Sequence, residues 1–232
     1  MNSDEVNSIA DTLESSQVAQ VVKDTFFEII GSRDWPHLNQ LIQLTPQGTS
    51  FPTYMDTGSE WNTVEWIKYN KRASSDTYDK FSEVEYLEPK AFTELLDARK
   101  SSDSNVVTTT DPSGVKLYIL NDVAPTYWTT FDDDTLVFDS YDSGVDTNLQ
   151  QSKFQCWGNV TPTWTHTDAA IPNLPSKVFP YLVSESKSTA FNSIKQAANK
   201  KEEQKSRRQR THLTREKWRT NGGMRFPDYG RK

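Results

Sequence analysis

Between Phe51 and Trp164 the chain is written in short runs of β-branched and aromatic residues separated by turn formers, and on both sides apolar residues recur every three or four positions. A period of two lays side chains on alternate faces of a strand, whereas a period near 3.6 lines one face of a helix. A chain that switches from one pattern to the other and back is constrained to a sheet flanked by helical segments. Val18, Val22, Phe26 and Ile29/Ile30 set the first helical face, with Gly31 placed to end it in the left-handed conformation. Asp34 then reads as an N-cap, Pro36 fits a first turn, and Leu38, Leu41 and Ile42 form the stripe of a second helix stopped by Pro46. Residues 4–44 are therefore expected to be a helical hairpin.

Inside the β stretch the clearest unit runs from Val106 to Leu120, where VVTTT and VKLYIL flank Asp111-Pro112-Ser113-Gly114. Proline in second and glycine in fourth position suit a type I turn. A second hairpin is expected where Tyr127–Phe131 and Leu136–Phe138 bracket Asp132-Asp133-Asp134, and Phe154–Trp157 reads as another strand. One helix interrupts the sheet, opened by Pro89 and carrying Phe92, Leu95 and Leu96 on its apolar side. Residues 165–175, with two prolines and small polar residues, read as a linker with nothing to bury. Beyond it Phe179, Leu182, Val183, Ala190, Phe191, Ile194 and Ala197/Ala198 sustain the longest helical face, with Pro180 in the opening turn. KKEEQKSRRQRTHLTREKWR continues with helix formers but almost no apolar residue, so it is expected to project from its own domain or to pack on another chain. Gly222-Gly223 ends it and an extended, aromatic and basic arm follows. The fold class expected is α+β. Residues 1–47 and 176–220 form a helical domain, with a helical hairpin and a long C-terminal helix. Residues 48–164 form an inserted antiparallel β-sandwich or barrel, 165–175 the linker and 221–232 the arm.

With 232 residues, 34% of them hydrophobic, 12% aromatic and 25% charged, the chain is polar yet able to bury a core. No apolar run approaches the ~20 residues that cross a bilayer. The start, MNSDEVNSIADTLESSQ, has acids where a secretory signal has a basic head and an apolar middle, so synthesis in a cytoplasm is expected. A single cysteine excludes an internal disulfide and a cysteine-built zinc site. The net charge of −6 hides an asymmetry: residues 195–232 hold 13 Lys/Arg against 4 Asp/Glu, a net +9, and the remainder carries −15. Tail and body must meet different partners, or the tail of one copy meets the body of another.

No catalytic constellation is legible. The glycines are scattered and cradle no phosphate, and His37, His166 and His212 lack the spacing of a metal motif. Cys156 alternates within a strand beside Trp157 and reads as a buried, inert thiol. Asp132, Asp133, Asp134, Asp139, Asp142 and Asp146 invite a calcium loop, but Tyr141 stands where a ligand oxygen is needed and no acid closes the loop. Asn159-Val160-Thr161 matches a glycosylation acceptor that has no use without export. The basic stretch 200–219 is interleaved with Glu202, Glu203 and Glu216, which favours protein or phosphate contact over sequence reading of a nucleic acid. The aromatic wealth of the β stretch serves either core and subunit interface or a sugar-stacking platform. No cofactor, metal or catalytic residue is expected.

Arg33-Asp34-Trp35-Pro36, then Pro125-Thr126-Tyr127-Trp128-Thr129 and Phe138-Asp139-Ser140-Tyr141-Asp142, then Val178-Phe179-Pro180-Tyr181-Leu182 leading into Lys200-Lys201-Glu202-Glu203-Gln204-Lys205 follow one another in an order that carries a likeness. Over roughly residues 15–232 the chain resembles the head-to-tail adaptor proteins of short-tailed bacteriophages, also called tail tubular protein A or gatekeeper-type connectors. The resemblance implies a non-enzymatic virion protein of the tail or neck. It implies a ring of neighbouring subunits, typically twelve, docked under the portal protein, with the tail nozzle protein below and DNA passing non-specifically through the channel, and no membrane. Portal or neighbour contact is then expected from Arg207, Arg208, Arg210 and Arg215 through forked bonds to carboxylates, and from Trp218, Met224, Arg225, Phe226 and Tyr229 as the arm's anchors. A head-to-tail ring needs two complementary patches per chain, which the basic tail and acidic body supply. The alternatives are a carbohydrate-binding or host-attachment module, with coplanar exposed tryptophans, and a glycoside hydrolase using two of the aspartates.

Overall fold

The computed structural model describes residues 7–32, 35–58, 61–73 and 75–220, with side chains as far as Leu213. It holds four helices, an eight-stranded curled sheet and a two-stranded sheet among these residues. Asn39–Thr161 form one compact unit and the chain on either side of it forms another.

The helical unit begins with α1 (Leu13–Gly31). Its start is a capping box: the Ser15 N–H donates to Thr12 Oγ1 at 3.0 Å and the Thr12 N–H donates to Ser15 Oγ at 3.0 Å. Its end differs from expectation. Gly31 lies inside the last turn, and Ser32 caps it in right-handed conformation with φ −71°. The indole of Trp35 donates to the Ile29 carbonyl at 3.0 Å, so a buried side chain satisfies a helix-end acceptor and no left-handed residue is needed.

The second helix of the expected hairpin does not form. Pro36–Leu38 make one 3-10 turn, and Asn39–Ile42 become strand β1. Asp34, read as its N-cap, lies outside the described residues. The apolar triplet is divided: Leu38 is buried in the helical unit, Ile42 is half-buried in the sheet unit, and Leu41 is 67% exposed. Three apolar residues among glutamines give a helix little to bury, whereas pairing with the strand Phe154–Val160 satisfies the backbone. Residues 39–46, expected in the helical domain, therefore belong to the sheet.

α3 (Phe179–Lys195) packs antiparallel to α1: Phe26 and Ile29 share a cluster with Val178 and Leu182, while Lys195 reaches Glu14 at the other end, 3.9 Å away. The expected single long C-terminal helix is broken. Gln196 takes a left-handed conformation with φ 48°, and α4 (Lys200–Thr220) starts after Asn199, whose Oδ1 accepts from the Glu202 N–H at 3.3 Å. α4 folds back along α3, with Ser206 donating to the Glu185 carboxylate and Leu213 buried beside Leu182 and Phe26. The basic stretch thus packs within its own unit instead of projecting from it. Residues 165–175 have no regular structure, but Leu174 is buried in the same cluster, so the stretch does bury an anchor.

In the sheet unit the remaining strands are β2 (Thr45–Pro46), β3 (Tyr54–Asp56), β4 (Trp61–Asn70), β5 (Phe81–Tyr86), β6 (Val106–Thr110), β7 (Lys116–Leu120), β8 (Tyr127–Thr130), β9 (Thr135–Phe138) and β10 (Phe154–Val160). The large sheet has the order β1-β10-β4-β5-β8-β9-β3-β2 and is open at both edges, where a sandwich or closed barrel was expected. Its pairs are antiparallel except β5 with β8. That parallel pair is permitted because the connection between them is long: it contains α2 (Pro89–Asp97) and the β6–β7 hairpin. α2 buries Phe92 and Leu96 against Tyr54, Leu117 and Val137. The Asp111–Gly114 turn forms as read, the Gly114 N–H donating to the Asp111 carbonyl at 2.8 Å. Gly114 takes φ +89°, a conformation that glycine adopts without strain. The Asp132–Asp134 turn closes β8 onto β9, with Asp132 Oδ1 accepting from the N–H groups of Asp134 and Thr135.

Two contacts fix this unit. Asp139 is buried, receives the Arg99 guanidinium at 2.9 Å, and accepts the N–H groups of Thr126 and Tyr127, each at 2.9 Å. The same guanidinium reaches the carbonyls of Tyr118 and Asp139 at 3.0 and 2.6 Å, so one charge joins the end of α2 to β7 and β9. Gly158 lies so close to β4 that a Cβ there would stand 2.2 Å from the Thr63 carbonyl oxygen.

Replacing Asp139 by alanine strands a mostly buried guanidinium and two amide groups. Urea unfolding of Asp139→Ala is expected to show a loss of about 3–5 kcal/mol. Gly158→Ala is expected to abolish or severely destabilise the sheet unit, because the obstacle is backbone and cannot rotate away. Gly31→Ala, with nothing within 4 Å, is expected to be neutral or to stabilise by up to about 1 kcal/mol in the same assay.

Candidate functional site

The hairpin of α3 and α4 sorts the charges of the basic stretch. Glu202 and Ser206 lie on the side of α4 that meets α3: Ser206 bonds Glu185, and Glu202 bonds Lys205 at 2.6 Å. The Lys205 ammonium holds the Glu202 carboxyl below the usual carboxylate range. Glu203 pairs with Arg207 one turn on. Lys201, Lys205 and Arg208, spaced four and three residues apart, form an exposed basic stripe along the helix. Arg207, Arg208 and Arg210, named from sequence, are all exposed on α4. Arg215 and Trp218 fall in the last turns of α4 with side chains outside the described part; Met224, Arg225, Phe226 and Tyr229 lie outside the described residues.

A second surface was not singled out from sequence. Val18 and Val22 of α1 floor a trough in the helical unit. On one side it is walled by residues 164–172 and Phe179, in a space of about 930 Å³, and on the other by Val183, Ala190, Phe191 and Ile194 of α3, in a space of about 360 Å³. Asp168 ties its far end, accepting the Ile9 N–H at 2.7 Å, a bond that keeps the Asp168 carboxyl below its ordinary range. A signal existed in the sequence: the adjacent apolar pairs Leu182/Val183 and Ala190/Phe191 point about 100° apart on a helix, so one neighbour cannot bury both members.

The sheet unit offers less. Asp132, Asp133 and Asp134 are exposed on their turn, Asp139 is committed to Arg99, Asp142 accepts from the Gly144 N–H, and Asp146 pairs with Lys153 at 2.9 Å. No group of three His, Cys, Asp or Glu side chains is gathered as for a metal among the described residues. His37 Nε2 meets the Asn173 carbonyl at 3.1 Å, and His166 Nδ1 meets the Trp164 indole at 3.4 Å. Trp128 is buried; Trp61, Trp66 and Trp157 are half-buried, the last two opposite each other across β4 and β10. Burial and the hydrogen bond to Asp111 raise the Tyr54 phenol far above its ordinary value. No helix among the described residues is long and apolar enough to cross a membrane. No protein-family model matches the chain, and no curated protein matches it.

Cys156 is 0% exposed, and burial pushes its thiol up to about 12. In the native protein it is expected to resist a disulfide reagent at pH 8 and to react only in denaturant. Because the unfolded chain releases this proton near the ordinary thiol value and the folded chain holds it, stability should fall as pH rises from about 9 to about 12. Rapid native labelling at pH 8 would contradict the burial.

Proposed function

We propose that the protein is a structural, non-enzymatic component of a virion: a head-to-tail adaptor whose copies assemble in a ring, of about twelve as the resemblance implies, beneath a portal protein. The ring extends the DNA channel and offers its far side to a tail nozzle protein. The observation that carries the reading is the exposed basic stripe of α4, held in place by Leu213 and leading directly into the residues expected to form the arm. A helix with so few apolar side chains gains little from burial, and a run of cations at helical spacing is suited to a carboxylate-bearing partner surface. The insertion supplies the complementary sign: residues 39–161 contain 19 Asp/Glu against 9 Lys/Arg. A ring of identical subunits needs two unlike patches on each chain. An acidic insertion also lets DNA phosphates pass without adhering. The host-attachment reading asks for coplanar exposed tryptophans, and the described tryptophans are buried or half-buried.

The test is to mix the purified chain with dodecameric portal and to weigh the product. A defined complex with about twelve added copies is expected. A chain cut after Arg219 should fold as a soluble protein and fail to join. Phe226→Ala should weaken assembly by about 2 kcal/mol or more, and Arg231→Ala by less than about 1, since buried aromatic anchors outweigh exposed ion pairs. Equal assembly of the cut and full chains would remove the arm from the contact. Hydrolysis of a cell-wall glycan by the full chain, lost on replacing the exposed Asp132, would overturn the structural reading altogether.

A further inference from the structure

The α1–α3 side of the trough over Val18 and Val22 has no part in the portal contact proposed above, yet it is a largely apolar concave surface. Val18 is 38% exposed, Val183 47% and Phe191 39%, and between them the Ser186 hydroxyl is buried without a hydrogen-bond partner. Charge stands only at the margin, where Lys187 lies on α3 and Lys195 faces Glu14. A contiguous apolar groove of this kind in a soluble chain marks a surface that something covers.

The course of the chain names the cover. α4 folds back along α3, so its C-terminal end lies at the end of the unit where Leu182 and Leu213 are buried together. Thr220 is seven residues beyond Leu213, about 10 Å of helix. The lining of the trough extends from Leu182, at that same end, to Lys195, thirteen residues or about 20 Å along α3. Twelve residues follow Thr220, NGGMRFPDYGRK, and twelve extended residues reach about 40 Å. Gly222-Gly223 admits a reversal of direction, and Pro227 has φ preset for extended chain. Met224, Phe226 and Tyr229 supply three large side chains with little else apolar around them.

We propose that residues 224–229 bind in this trough within the same chain, with Phe226 against Val22, Val183 and Phe191. The inference goes beyond the adaptor reading and holds without it; where a portal is the partner, portal and trough compete for the same side chains. Tethering favours the intramolecular contact, since a short linker holds the segment at an effective concentration in the millimolar range.

The test uses the full chain alone, with Phe226 replaced by the photoreactive p-benzoylphenylalanine, irradiated at micromolar concentration and mapped by mass spectrometry. Crosslinks to α1 or to the Val183–Ile194 stretch of α3, in the monomer fraction, are expected. Val22→Asp should lower their yield about tenfold, because the segment would then bury a carboxylate. Crosslinks confined to the dimer fraction, crosslinks confined to other elements, or none would each overturn the proposal. Independently, the double variant Phe226→Ala/Tyr229→Ala should bind the apolar dye ANS several-fold more than the parent chain, as the trough loses its cover; unchanged dye binding would overturn it as well.

Discussion

The helical unit can be built from two distant pieces of chain because the two ends of the insertion are hydrogen-bonded to each other. Asn39 of β1 lies opposite Asn159 of β10, and the Asn159 amide donates to the Asn39 side-chain oxygen at 2.7 Å. Leu38, one residue before that pair, and Trp164, five residues after it, both enter the helical cluster. Joining two ends of a flexible loop of about 120 residues costs on the order of 4 kcal/mol in entropy. Once the sheet has formed, the closure is already made, and α1 meets α3 as though a short turn joined them. The four ladder positions of β1 therefore close the insertion as well as forming one edge of the sheet.

Within the insertion the corresponding constraint is the buried pair of Arg99 and Asp139. The residues that converge on it come from the end of α2, from β7, from the start of β8 and from the residue just past β9, which are far apart in sequence. Burying two charges is costly, and Coulomb attraction alone seldom offsets the lost hydration. Here both partners also bond the backbone: the carboxylate accepts two amides and the guanidinium reaches two carbonyls. That arrangement explains why the β6–β7 hairpin, a separate two-stranded sheet, stays attached: Leu120 bridges to Ser140 and Asp122 to Asp142, both just beyond Asp139 in the chain.

Much of this architecture was legible in the sequence where the signal is local. The Asp111–Gly114 and Asp132–Asp134 turns, the β10 strand, α2 and its Pro89 start, and the burial of Cys156 all rest on residues that interact with near neighbours or on strict alternation. The failures are equally physical. Leu38, Leu41 and Ile42 have helical spacing, but the choice was made by β10, a strand more than a hundred residues away. The break at Gln196 carries no glycine or proline; a polar residue there accepts a left-handed backbone because α4 gains Ser206 and Leu213 contacts by folding back. The parallel β5–β8 pair depends on how a long crossover is routed, about which no pair of residues in either strand speaks. Of the candidate site, the arginines of α4 were legible by charge alone. The trough was hidden because an apolar residue on a helix reads as core until the number of available neighbours is known.

The two surfaces of the helical unit differ in what they demand of a partner. The α4 stripe presents cations on long, solvated stems, and exposed pairs of this kind set orientation and rate of approach more than strength. The trough presents branched aliphatic and aromatic carbon around one orphan hydroxyl, and such a surface supplies strength with little selectivity. For the adaptor proposed above, an apolar surface left open would compete with the partner that the stripe recruits. Chain connectivity resolves the conflict without a further component. In the contact proposed above, the twelve residues after α4 are the ones expected to anchor a partner and the ones that would shield the groove until then. Both surfaces depend on the reversal of α4 along α3, which rests on Gln196, Asn199 and the Ser206–Glu185 bond.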